Sequence, residues 1–288
     1  MVRELDPGEV LVVDDTGCRS FHPFRETAVD PRLCLFEFVY FARPDSMLYG
    51  QIVHQARVRM GEALASQAPA EADLVMGVPE SGIPAAEGFA RASGIPYGQG
   101  LVKNRYIGRS FIAPTQSLRA STVRMKLNPL RENLVDQRLI VVDDSIVRGT
   151  TTRSMIRMLR EAGAAEVHLR VSSPPYRWPC FYGMDTGSRA ELLAANLTVD
   201  EIQRYLEVDS LSYLSIDRLL EATGATGAGF CNACLTGDYP VEIPADLAEG
   251  MFESMGRVKD LERPGTPVSV GYGDELPTED ASRLFPRA

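Results

Sequence analysis

Two hydrophobic rhythms run along this chain. Short unbroken apolar runs are followed, after a loop of small residues, by stretches with apolar positions three and four apart. The first such unit has a strand "ADLVMGV" at 72–78, a loop "PESGIP" and a helix "AAEGFARAS" that Gly94 and Ile95-Pro96 stop. The second repeats the plan with "RLIVVD" at 138–143, "DSIVRGTT" at 144–151 and "TRSMIRMLREAGA" at 152–164. Met155, Ile156, Leu159 and Ala162 mark its inner face, with Gly163 as the C-terminal cap. "EVHLRVSS" then reads as another strand. Strands alternating with helices predict an α/β fold, a parallel sheet flanked by helices.

The flanking segments are patterned less regularly. "GEVLVVDD" at 8–15 predicts a strand that turns at Thr16-Gly17. Leu33–Phe41, β-branched and aromatic, predicts a strand. Ser46 is placed to cap a helix from Met47 to about Ser66, with Leu48, Ile52, Val53, Ala56, Met60, Ala63 and Leu64 on its apolar side. A C-terminal helical region follows the sheet. "TVDEIQRYLEV" opens with a capping box, Thr198 and Glu201, and "SIDRLLEATG" ends at Gly224. From Gly256 the chain turns Pro-, Gly- and charge-rich, which predicts a disordered tail over 256–288.

Composition narrows the function classes. A net charge of −9 over 288 residues argues against nucleic acid or an anionic membrane surface as partner. No apolar run reaches the roughly 20 residues of a membrane span, and the first residues lack the pattern of a secretory signal. Five scattered cysteines do not make a disulfide framework, so a cytoplasmic protein is expected. Zinc, a redox dithiol and an iron–sulfur cluster compete for "CNAC" at 231–234. No thioredoxin-like context supports the dithiol, and spacing does not separate the other two.

The chemistry concentrates where the second apolar run ends. Asp143 and Asp144 stand at the tip of a parallel strand, the place where such sheets bind ligands. The helix that follows starts with unpartnered N–H groups, which attract an anion. Ser145, Thr150, Thr151 and Thr152 add hydroxyls, and Gly149 permits close backbone approach. Carboxylates beside an anion site suit a sugar phosphate with a hydrated Mg²⁺. The alternative is plain strand termination and helix capping. Neither a Walker loop nor a dinucleotide fingerprint is present. Between the two loops, residues 103–131 carry Lys103, Arg105, Arg109, Arg119, Arg124, Lys126 and Arg131 and no acidic residue. That local reversal of charge suits a lid over a polyanion better than an idle basic loop.

"VVDDSIVRGTT" resembles the phosphoribosyl-pyrophosphate (PRPP) signature of the type I phosphoribosyltransferases. "CLFEFVYFARPDS" at 34–46, "VPESGIPAAEGFA" at 78–90, "GLVKNRYIGRSFIAPTQ" at 100–116 and "SSPPYRWPCFYGMDT" at 172–186 extend the likeness to the amidophosphoribosyltransferase family, from about residue 6 to about residue 245. The resemblance implies a type I phosphoribosyltransferase fold and displacement of pyrophosphate from PRPP by ammonia, opening de novo purine synthesis. It implies that Asp143 and Asp144 hold the ribose hydroxyls and Mg²⁺, and that Ser145, Arg148, Gly149, Thr150 and Thr151 cradle the 5′-phosphate. Glu80, Ser81 and Gly82 would meet the pyrophosphate, with Ser81 near Mg²⁺; Lys103, Arg105 and Lys126 would belong to the substrate lid. Some members carry a structural 4Fe-4S cluster at positions matching Cys34, Cys180, Cys231 and Cys234, all present here; Cys18 has no counterpart.

Members of the family begin with a glutaminase domain whose catalytic cysteine follows the initiator methionine. Here Val2 stands in that place. The expected layout is therefore a glutaminase remnant and linker over 1–30, a phosphoribosyltransferase domain with the cluster region over 31–255, and the tail. The resemblance also implies homo-oligomers, inhibition by purine nucleotides, and a glutaminase in cis or trans supplying ammonia. A salvage phosphoribosyltransferase acting on a free base and a non-enzymatic PRPP sensor are the rival readings. The four cysteines and the long basic segment do not suit the first, and the missing basic helix-turn-helix does not suit the second.

Overall fold

A computed structural model describes residues 3–23, 30–104, 106, 126–184, 186, 188–225, 229–244 and 248. The expected tail and most of the basic segment lie outside the described residues, which all fall in one compact unit, Met1–Val258.

The elements run in this order. β1 (Val10–Asp14) and β2 (Gly17–Phe21) form an antiparallel hairpin. β3 (Arg32–Cys34) is followed by a π-helix, Glu37–Phe41. β4 (Met47–Leu48) and β5 (Gln51–Ile52) pair closely, and α1 (Val53–Gln67) follows. Then come β6 (Leu74–Gly77), α2 (Ile83–Ser93), β7 (Leu101–Lys103), β8 (Leu127–Pro129), β9 (Arg138–Asp143) and α3 (Thr150–Glu161). The remainder is β10 (Glu166–Val171), α4 (Leu193–Asn196), α5 (Val199–Leu206), β11 (Ser210–Tyr213), α6 (Ile216–Thr223), β12 (Gly229–Cys231) and α7 (Ala233–Thr236).

The main sheet is parallel, in the order β11-β10-β9-β6. Alternate residues of its strands enter different cores. Leu139, Val141, Leu169 and Met76 pack with Met155, Ile156 and Leu159 of α3. Ile140, Val142 and Val75 pack with α1 and α2 through Met60, Leu64 and Phe89. Burial on both faces explains why "RLIVVD" is apolar without alternation. The capping box at Thr198 and Glu201, and the stops at Gly94 and Gly224, form as the sequence predicts.

Two elements differ from expectation. The strand predicted over Leu33–Phe41 ends at Cys34. Leu35, Phe36, Phe38 and Val39 are all buried, and a strand would turn adjacent residues to opposite faces. A helical turn buries them together. The helix expected from Met47 begins only at Val53. Tyr49 and Gly50 have φ of 47° and 73°, so the backbone turns back into the β4–β5 hairpin. The N–H groups of Val53 and His54 donate to the carbonyls of Ser46 and Pro44, so Ser46 serves through its backbone oxygen.

Candidate active site

Strands β6 and β9 are neighbours, so the loops leaving their C-terminal ends lie side by side. Backbone fixes the first loop against β9. Val78 N–H donates to Val142 O at 2.8 Å, and Gly82 N–H donates to Val78 O at 3.0 Å. A Cβ on Gly82 would fall 2.4 Å from Val142 O, so no other residue fits there. The Pro79–Glu80 peptide is cis. This approach brings Ser81 close to the Asp144 carboxylate, whose charged form it favours. Glu80 and Lys103 line a common cleft of about 230 Å³ with Tyr97 and Gln99.

Asp143 is the last residue of β9, and its carboxylate accepts the Asp144 N–H at 2.9 Å. Asp144 is only 6% exposed and also accepts the Ser145 hydroxyl. Burial, and then the charge of Asp144, pushes the Asp143 carboxyl well above the usual carboxylate range. Burial pushes Asp144 upward too, opposed by Ser145, Ser81 and Arg57. Arg57 lies beneath the site and is itself buried. Its Nε and Nη2 donate to the carbonyls of Phe38 and Ala42, each at 2.9 Å. Burial lowers its pKa, while Asp144 and Glu37 raise it. Two adjacent carboxylates, one of them buried, with serine hydroxyls close by are a hard oxygen donor set, which fits Mg²⁺.

The second loop ends at Gly149, whose φ of 75° makes it the N-cap of α3. No side chain caps this helix, and Thr150 and Thr151 stand exposed at its start while Thr152 is buried. The free N–H groups and hydroxyls form an anion site beside the carboxylate pair. Arg148 Nε meets Glu191 Oε2 at 2.7 Å. β7 and β8 pair so that Lys103 opposes Leu127, next to Lys126. Burial, then the charge of Lys103, lowers the pKa of Lys126. Arg105, Arg109, Arg119 and Arg124 lie outside the described residues. A larger cleft, about 430 Å³, is lined by Pro174, Arg177 and Tyr213 among others, and holds none of the sequence-predicted residues. The smaller cleft adjoins the first loop and holds Glu80 and Lys103 of the predicted residues, while Asp143, Asp144 and the start of α3 are not among its lining.

The four predicted cysteines converge. Cys231 is the register partner of Cys34 across β12 and β3. Cys234 O accepts the N–H groups of Arg177 and Trp178, each at 3.0 Å, which holds the strand-to-loop segment carrying Cys180. Burial pushes the Cys234 thiol up to about 12, with the other three cysteines adding to the effect. Cys34 is raised by burial, and Cys231 and Cys180 add to that. Cys18 is exposed on the N-terminal hairpin.

Arg57 and Glu191 were not singled out by the sequence reading. Arg57 leaves a faint signal, a charge among the apolar positions of α1. Glu191 leaves none, since it meets Arg148 from a remote segment.

Residues 49–173 match the phosphoribosyl transferase domain family. An amidophosphoribosyltransferase of Synechocystis is 55% identical over 243 residues, covering 84% of this chain and 49% of its own. One from Mycobacterium tuberculosis H37Rv is 50% identical over 281 residues, covering 96% of this chain and 53% of its own. The solved glutamine PRPP amidotransferase of B. subtilis, in complex with ADP and GMP, is 48% identical with a TM-score of 0.74, over 85% of this chain and 54% of that one. The chain thus spans about half the length of the curated relatives it matches. With its type I phosphoribosyltransferase fold and identity near one half over most of its residues, the chain belongs to the amidophosphoribosyltransferase family.

Proposed function

We propose that this chain forms 5-phosphoribosylamine and pyrophosphate from PRPP and ammonia, the first step of de novo purine synthesis. The observation that carries the reading is the adjacent Asp143–Asp144 pair, with Asp144 buried, beside an uncapped helix start and with Ser81 of the neighbouring loop close to Asp144. A phosphorylated pentose needs both features at once. Ser145 through Thr151 receive the 5′-phosphate, with Arg148 and Gly149 in that loop. Asp143 and Asp144 hold the ribose hydroxyls. Glu80, Ser81 and Gly82 receive the pyrophosphate, and Lys103, Arg105 and Lys126 add positive charge over it.

In the reaction the C1–O bond to pyrophosphate breaks, and the electron pair leaves with pyrophosphate. Positive charge grows on the ribose ring, where the carboxylates of Asp143 and Asp144 stabilise it. Ammonia forms the new C1–N bond and then loses one proton. Asp143, Asp144 and Ser81 would hold Mg²⁺, which would supply charge neutralisation for the leaving group.

The four cysteines are proposed to hold a structural 4Fe-4S cluster. What supports this is the donor set: Cys34 and Cys231 are register partners, Cys234 feels the charge of the other three, and four thiolates suit an iron–sulfur cluster.

Inhibition by purine nucleotides, a homo-oligomer, a cytoplasmic location and a glutaminase that supplies ammonia complete the proposal. The solved relative's ADP and GMP support the first. Among the described residues no helix is long and apolar enough to cross a membrane. Replacing either aspartate tests the site: Asp143→Asn and Asp144→Asn are each expected to cut turnover at least about 100-fold. Unchanged turnover in both contradicts the reading.

A further inference from the structure

Residues 189–193 grip the phosphate loop at three points. Glu191 takes the Nε edge of Arg148 at 2.7 Å. Leu193 N–H donates to Val147 O at 2.9 Å. The Leu193 side chain fills the space beside Gly149, where an added Cβ would come within 2.5 Å of its Cδ2. The segment is held in turn from its other side. Asn196 Nδ2 donates to the carbonyls of Arg189, Ala190 and Leu192 at 3.2, 3.0 and 2.8 Å. The Arg189 guanidinium lies 3.7 Å over the Trp178 ring, and Trp178 N–H bonds Cys234 O. The strap is thus anchored on the cysteine-bearing segment and ends on the loop.

The direction of Glu191's effect follows from donor geometry. A guanidinium carries five N–H donors. Glu191 pairs by charge with the Nε side of the guanidinium, its closest approach being 2.7 Å to Nε, which leaves the four donors on the two terminal nitrogens for a ligand. A free arginine side chain loses rotamer entropy when fixed. Part of that cost is already met in the ion pair. We propose that Glu191 is a positioning residue, which orients Arg148 toward the phosphate of the phosphoribosyl ligand while Leu193 fixes the loop backbone. This rests on the PRPP reading above.

The pair is 42% and 49% exposed, so its effect is modest. The test uses Glu191→Gln, Arg148→Gln and the double variant. PRPP binding with Mg²⁺ is measured by calorimetry, alongside KM and kcat with ammonium. Glu191→Gln is expected to weaken PRPP binding and raise KM about 3- to 5-fold, with kcat within about twofold of the parent. In the Arg148→Gln background the same change has no further effect. Unchanged or tighter binding in Glu191→Gln overturns the inference, and so does an equal loss when Arg148 is already gone. An unaltered protein that does not bind PRPP overturns the functional reading, and this inference with it.

Discussion

Asp143 and Asp144 place two carboxylates where water is scarce, and that arrangement works against the ligand-free fold. In the unfolded chain an aspartate titrates near about 3.9. Burial raises Asp143 well above this in the fold, and Asp144 adds to the shift. A group raised on folding contributes stability below the unfolded value, and that contribution is lost as pH rises through the folded value. At neutral pH the empty site therefore costs stability. Without Mg²⁺ and PRPP, Asp143→Asn is expected to melt higher than the parent at pH 7.5, by on the order of 1–2 kcal/mol. The difference should shrink toward pH 4; a parent that melts as high at pH 7.5 contradicts it. These two residues were readable because their chemistry sits in one contiguous string, "VVDDSIVRGTT". Arg57 and Glu191 were not. Each reaches the site from a distant stretch, and only the packed fold brings it there.

At the scale of elements, the periodicity reading succeeded where one period held and failed where burial came from all sides. β6, α2, β9, α3 and β10 follow it closely. The π-helix at Glu37–Phe41 does not, because β-branched and aromatic residues favour strands until a neighbouring core demands that adjacent side chains be buried together. The convergence of the cysteines likewise depends on β3 pairing with β12, about two hundred residues later in the chain, a contact that local patterns do not carry. Joining these short elements is the structural task assigned to the cluster. Protein purified without oxygen is expected to contain about four iron and four acid-labile sulfide per chain, and Cys231→Ser to lose both and to melt lower. Stoichiometric zinc with neither iron nor sulfide contradicts the assignment.

Across the whole molecule, the parallel sheet brings the loop after β6 and the loop after β9 to the same end of its strands, with the carboxylate pair beside them. The strap at 189–193 links that edge to the cysteine-bearing segment. The family membership and fold agree with a phosphoribosyl donor as ligand. The choice of acceptor is the part that geometry leaves to chemistry, since a free base would use the same two loops. The most direct measurement is pyrophosphate release from PRPP with Mg²⁺, with either ammonium at alkaline pH or free purine and pyrimidine bases as acceptor. The account predicts release that rises with ammonia concentration and no response to the bases. Release only with a base, or none with ammonia, contradicts it.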